Sequence, residues 1–290
     1  MNTTLRREFL KQTTALGAAV AALRGMEALA GTPLPAGQLP AVRLGGVEVS
    51  RLLLGSNPFF GFAHKKDDTG KRMRAFYTDE RVMAVLDEAA DHGITAVWTP
   101  CYDHWIRLWN RYQERGGKLK IWVGQPDPKP ELMKSAITAC ANNGGKAICI
   151  QGERIDQQVQ AARWDVVRDW LEHIKSYGLP AGMATHRPET HLMAEERGMP
   201  ADFYHQCLYQ PENYSQECLE LALATIRKLD KPVVAYKVLA AGRVLPETAF
   251  ARLFPNLKPK DGLCVGVFPE DKPDQLAENA SLVQRLSELS

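Results

Sequence analysis

The 290-residue chain lacks a charge excess of either sign, with 36 Lys and Arg against 34 Asp and Glu. A phosphate-backbone footprint needs a basic surplus, so nucleic acid is not an expected partner. The chain also lacks paired cysteines. Its six, Cys101, Cys140, Cys149, Cys207, Cys218 and Cys264, are scattered without a C-x-x-C spacing. That excludes a zinc ribbon or a redox dithiol, though not a disulfide in an oxidising compartment. No run of about 20 apolar residues is present, so no stable membrane anchor is expected. There is no H-E-x-x-H or H-x-x-E-H to fix a metal by spacing. Nor does a Pro/Ser/Gly linker or charge block divide the chain, and residues 41–290 are expected to form one domain. At 45% apolar and 24% charged, what remains is a globular, enzyme-sized body.

The first thirty residues stand apart. Arg6 and Arg7 precede Phe9, Leu10 and Lys11, an Ala-rich apolar stretch follows over 13–23, and Ala28-Leu29-Ala30 offers an A-x-A cleavage site. The segment resembles a bacterial twin-arginine export signal. The resemblance implies recognition by the twin-arginine translocation machinery, cleavage near Ala30, a short linker over 31–40, and a periplasmic or secreted mature protein exported already folded. Residues 1–30 hold four basic and two acidic side chains, so the mature chain is formally neutral.

From residue 50 onward, short apolar runs alternate with helix-length amphipathic stretches, the pattern of a parallel sheet with crossover helices. Eight strands are read at 52–55, 96–99, 120–124, 147–150, 181–184, 203–208, 233–238 and 263–267. Thr78 caps a helix with Asp79 and Glu80 in its first turn and a stop at His92-Gly93, and others open near Pro188, Ser215 and Pro273. Eight strand–helix pairs over about 240 residues predict an α/β fold, the (β/α)8 TIM barrel. An N-terminal β-hairpin over 41–49, turning at Gly45-Gly46, is expected to plug its bottom.

The stretch Leu44-Gly45-Gly46-Val47-Glu48-Val49-Ser50-Arg51-Leu52-Leu53-Leu54-Gly55 resembles the opening of the aldo-keto reductase superfamily. Further segments are similar in order: Ala89 to Ile94, Pro180 to Thr185, Val233 to Tyr236, and Gln275 to Asn279. The resemblance implies a nicotinamide cofactor, NAD(P), with Tyr236 stacked on its ring, Gln206 on its amide, and Glu278 and Asn279 at the adenine. The family's catalytic tetrad is not retained. Its aspartate falls on Trp98, its tyrosine on Asp103 with Tyr102 one residue away, its lysine on Gln125, and its histidine on Gly152 or Gln151. Its Ser-Asn amide-binding pair becomes Ala184-Thr185. Carbonyl protonation by a tyrosine beside a lysine therefore has no residues in place.

Chemistry in a barrel is sought at the C-terminal ends of the strands, and these ends are polar here. Glu153 and His186 are read as a proton-exchanging acid/base pair, with Lys237 stabilising an enolate or oxyanion or forming an imine. An inward-facing lysine in so apolar a strand would have a depressed pKa. Asn57, His64, Tyr102, Asp103, His104, Gln125, Gln151 and Arg187 are the candidate substrate contacts. His64, Asp103, His104, Glu153 and His186 also form a candidate divalent-metal set, since imidazole and carboxylate suit Zn, Mn or Fe. Trp105 and Trp109, four apart on a helix, are expected in the core, and His92, His173, His191 and His205 in structural or solvent-facing positions. No cofactor is fixed by the residues, metal and NAD(P) being the alternatives. The favoured reading is an exported barrel enzyme doing acid/base chemistry on a small polar carbonyl or carbohydrate-derived substrate. A nicotinamide oxidoreductase and a non-catalytic ligand-binding barrel are the rivals.

Overall fold

The computed structural model describes residues 38–289, and the twin-arginine segment and most of the linker lie outside them. Strands β1 (Ala41–Leu44) and β2 (Val47–Ser50) pair antiparallel across the Gly45-Gly46 turn. Eight parallel strands follow: β3 (Leu52–Gly55), β4 (Ala96–Pro100), β5 (Ile121–Gln125), β6 (Gly145–Ile150), β7 (Ala181–Thr185), β8 (Phe203–Cys207), β9 (Val233–Tyr236) and β10 (Gly262–Gly266). Each pairs with the next in sequence, and β10 returns to β3 to close the barrel. All eight expected strands are present, with ends displaced by no more than two residues. One displacement matters: β9 stops at Tyr236, so Lys237 lies beyond the strand rather than within it.

Period-two alternation sorts each strand into an inward and an outward set. Leu53, Ala96, Trp98, Val123, Cys149, Phe203 and Val234 point inward and pack with Val42, Leu44 and Val49 of the hairpin. The hairpin thus plugs the N-terminal mouth, as expected. It is pinned by reciprocal bonds in which Ser50 N donates to Thr95 Oγ1 at 2.7 Å and Thr95 N to Ser50 Oγ at 3.0 Å. Leu52, Leu54, Val97, Trp122, Ile148, Met183, Tyr204 and Ala235 point outward into the helix layer. Close packing inside leaves Gly182 no substitute, because a Cβ there would stand 2.4 Å from the Phe203 ring.

The helices are α1 (Thr69–Phe76), α2 (Asp79–Asp91), α3 (Asp103–Glu114), α4 (Met133–Asn142), α5 (Gly152–Gln160), α6 (Trp164–Lys175), α7 (Pro188–Glu196), α8 (Gln216–Lys228), α9 (Pro246–Leu253) and α10 (Gln275–Ser287). Thr78 caps α2, accepting from Arg81 N, and Ser215 caps α8, accepting from Cys218 N. The two tryptophans four apart on α3, Trp105 and Trp109, stack at 6.0 Å and pack on Trp122, which confirms their core role. Cys140, Cys149, Cys207 and Cys264 are buried in the core, and all six cysteines are free. No helix among the described residues is long and apolar enough to cross a membrane.

Candidate active site

A cavity of about 370 Å³ opens at the C-terminal ends of the strands, within the range of small-molecule sites, ~300–1,000 Å³, and toward its lower end. Its floor is an aromatic stack inside the barrel. Trp98 lies on His205 with ring centroids 3.9 Å apart, and His205 on Tyr236 at 4.1 Å. Tyr236 donates to the Thr185 carbonyl at 3.1 Å, which fixes its ring. His205 is 4% exposed, lines the cavity, and has no hydrogen-bond partner at either ring nitrogen. Burial drives its pKa well below the usual histidine value, so the ring is neutral. A structural or surface place for His205 is therefore corrected: inward parity on β8 puts it in the site.

The same parity removes Gln206, which turns outward. It is bonded to His191 Nδ1 at 2.9 Å and donates to the Cys207 carbonyl at 2.8 Å, and does not line the cavity.

His186, just past β7, carries the arrangement best suited to chemistry. Its Nδ1 lies 2.9 Å from Asp156 Oδ2, and its backbone N–H donates to the same oxygen at 3.1 Å. The other carboxylate oxygen of Asp156 accepts from Thr185 Oγ1 at 2.5 Å. Asp156 sits on α5, buried at 8% exposure and accepting three bonds. Nδ1 is thus the protonated nitrogen, and Nε2 is left as the functional one on a cavity-lining ring. Space for that ring comes from Gly152: a Cβ there would lie 3.1 Å from His186 Cε1 and 3.2 Å from the Tyr236 hydroxyl.

Glu153 is not the partner of His186. As the second residue of α5 it is exposed, bonded to Gln157 Nε2 at 3.3 Å, and outside the cavity. Helical geometry turns Asp156 inward beside Gly152 and Ile155 while Glu153 faces solvent.

The wall after β4 and β5 holds Tyr102, which donates to Asp127 Oδ2 at 2.7 Å, and the amide of Gln125. Burial and the Asp127 carboxylate raise the Tyr102 pKa, so its hydroxyl stays protonated. Gln151 lines the cavity and caps α5, accepting from Arg154 N at 3.2 Å. Lys237 and Asn57 line it too. Lys237 has φ of 55°, the left-handed region that costs a non-glycine residue about 1–3 kcal/mol and concentrates at functional sites. His64, also left-handed at φ 52°, stands at the rim with Nε2 3.2 Å from Asn57 Nδ2. Lost hydration and the charges of Lys237, His186 and Arg243 pull its pKa down to about 4. A neutral His64 agrees with an amide donor at Nε2.

Several candidates lie elsewhere. Asp103 and His104 are exposed in the first turn of α3, where His104 packs on Phe60 and Tyr102 at 5.3 and 5.9 Å rather than lining the cavity. Arg187 is exposed before α7. The proposed metal set is therefore split, two members in the cavity and three outside it. Among the described residues no three His, Cys, Asp or Glu converge as a metal cluster. The nicotinamide contacts fit no better. Tyr236 faces the cavity, but His205 covers one side of its ring. Glu278 pairs with Lys272, Asn279 is buried, and neither lines the cavity.

The segments that follow β3 and β10 are tied to each other beside the cavity. Arg72 of α1 bonds Glu270 at 2.6 Å and Asp271 at 2.5 Å, and Tyr77 donates to the Val267 carbonyl at 2.5 Å.

Comparison with protein-family profiles and with curated protein sequences gives no match. Solved structures do match. A 2,5-diketo-D-gluconic acid reductase B, so named provisionally, aligns with TM-score 0.53 and 14% identity over 86% of this chain and 87% of its own. Gox0644 in its apo form aligns with TM-score 0.52 and 13% identity over 90% and 94%. A glycerol dehydrogenase from Gluconobacter oxydans aligns with TM-score 0.47 and 16% identity over 70% and 64%. At this identity the likeness shows the shared barrel fold.

Proposed function

We propose that the protein is an exported barrel enzyme of aldo-keto-reductase-like descent. In this reading it performs acid/base chemistry on a small polar carbonyl or carbohydrate-derived compound. Descent is supported by the ordered motifs from Leu44 to Asn279 and by the barrel shared with the reductase named above. Export rests on Arg6-Arg7 and the segment after them. The observation that carries the chemistry is the His186–Asp156 pair beside a half-enclosed cavity.

In this reading the substrate places a C–H next to its carbonyl against His186 Nε2. The C–H bond breaks, the proton goes to Nε2, and the electron pair moves onto the carbonyl oxygen as an enolate. Asp156 stabilises the imidazolium that forms, without taking the proton. The ammonium of Lys237 faces the developing oxyanion. Return of the proton to the same carbon gives exchange or epimerisation. Where that carbon bears a hydroxyl, passage of the hydroxyl proton to the former carbonyl oxygen and of the His186 proton to the former carbonyl carbon gives isomerisation, in each case without an external reductant. Tyr102, with its proton held by Asp127, offers oxygen lone pairs to a substrate hydroxyl, and Gln125 and Gln151 supply amides.

The test is deuterium incorporation from D2O into a panel of ketoses and keto acids, read by mass spectrometry. The wild type is expected to label at least one, and His186→Gln to abolish labelling. Glu153→Gln should label normally because Glu153 faces solvent. Equal labelling by wild type and His186→Gln would overturn the assignment.

A further inference from the structure

Every carboxylate that lines the cavity is already engaged, but two of its cations are not. Asp127 accepts from Tyr102, and Asp271 is paired with Arg72. Asp156, behind the wall, is consumed by His186 and Thr185. Lys65 and Lys237 both line the cavity, and neither has an ion pair among the described residues. Asp67, two residues from Lys65, feels its charge but is held by the Thr69 backbone N–H at 3.0 Å.

The segment that carries Lys65 meets the loop that begins at Lys237. Lys65 Nζ lies 3.8 Å from where a Cβ on Gly242 would stand, in the loop that begins at Lys237. Arg243 of that loop donates to the His64 carbonyl at 3.1 Å, tying the two cationic segments together. At the far end of the cavity His205 presents two unpartnered ring nitrogens with almost no solvent access. A buried polar group without a partner costs free energy, and exposed Lys65 with half-buried Lys237 leaves positive charge at the opening without a counter-ion. A single ligand relieves both if it is anionic at one end and carries a hydroxyl or carbonyl at the other.

We propose that the substrate is an anion, a sugar-sized carbonyl compound bearing a carboxylate or phosphate. Its anionic group sits at Lys65 at the opening, leaving Lys237 to the enolate oxygen, and its opposite polar end hydrogen-bonds His205. The inference rests on the acid/base reading of the same site and adds the substrate's charge and orientation to it. Neutral sugars leave Lys65 without a counter-charge and bind weakly. The two sources of the anion share the same recognition, and they differ only in which probe binds.

The experiment is titration calorimetry on the folded mature chain with D-gluconate, D-glucose 6-phosphate and the neutral analogue D-glucitol. At least one anion is expected to bind at least tenfold more tightly than glucitol, with affinity falling as salt rises. Lys65→Met should weaken that anion about tenfold, Lys65→Arg should restore it, and both should leave glucitol unchanged. His205→Phe, close in shape, should weaken anion and glucitol alike by removing the floor acceptor. Equal affinity for charged and neutral probes, or no effect of Lys65→Met, would overturn the proposal. The two readings fail separately. Loss of Lys65-dependent binding with His186-dependent deuterium labelling intact defeats the anion site alone. Anion binding that survives while His186→Gln labels normally defeats the acid/base chemistry alone.

Discussion

Gly152→Ala separates the geometry of the site from the stability of the fold. Gly152 opens α5 without a left-handed φ, so alanine fits its backbone. Reduced freedom of the unfolded chain then favours the variant by about 0.4–1 kcal/mol. Against that, the new Cβ meets His186 Cε1 at 3.1 Å, the Tyr236 hydroxyl at 3.2 Å and His186 Nδ1 at 3.3 Å. Ordinary carbon contacts lie at about 3.5–4.0 Å, so the imidazole must retreat by roughly 0.4 Å. It retreats against the 2.9 Å bond to Asp156, whose net value as a hydrogen bond to a charged group is about 1.5–3 kcal/mol and is only partly lost. The opposing effects nearly cancel, and the variant should unfold within about 1 kcal/mol of wild type. Turnover should not cancel. A 1 Å misplacement of a reacting group costs about a hundredfold, so a shift near half that size predicts about a tenfold loss. Urea unfolding measures the first quantity. Deuterium labelling and the imidazole resonances of His186 measure the second. A loss of stability beyond about 3 kcal/mol, or unmoved His186 resonances with full labelling, would refute the packing argument.

Asp156→Asn should cut labelling by about 10²–10⁴-fold, because the imidazolium loses its carboxylate and the correct tautomer its anchor. Near-normal labelling would remove Asp156 from the mechanism. Lys237→Gly should raise stability by about 1 kcal/mol by relieving the left-handed φ of 55° while impairing labelling; denaturant midpoints and labelling together decide it. His64 titrates in the folded protein at about 4, below its unfolded value near 6.5. The folded state therefore binds fewer protons between these values, and the stability contributed by neutral His64 is present above 6.5 and lost as pH falls toward 4. An NMR titration with a midpoint near 6.5 would contradict this, and Lys237→Met should raise the midpoint. Gly182→Ala forces a Cβ to within 2.4 Å of the fully buried Phe203 ring and should cost about 1–3 kcal/mol in unfolding free energy.

The barrel was legible in the sequence because eight short apolar runs bounded by turn residues have few other solutions at this length. Its active-site rim was legible only as a neighbourhood. Along β8 the residues Tyr204, His205, Gln206 and Cys207 are all buried, so hydropathy gives no parity. One residue of register decides whether His205 or Gln206 faces the cavity, and only the closed barrel with Phe203 inside supplies it. The resemblance to aldo-keto reductases pointed to Gln206, and the geometry points to its neighbour. On α5 the missing information was of another kind. Gly152, Ile155, Asp156 and Val159 follow the spacing of one helical face, and an acid on such a face is a signal that the helix of 152–160 would have revealed. Glu153 stood nearer the strand end and so looked nearer the chemistry, yet nearness along a helix rotates a side chain by about 100° per residue and aims it at solvent. Lys237 shows the remaining limit. Read as part of an apolar strand, it promised a buried amine, whereas the strand ends one residue earlier and a left-handed turn delivers the amine to the cavity mouth. Local pattern thus located the residues that bear the chemistry, and the turn, the helix phase and the strand register chose which of them meet.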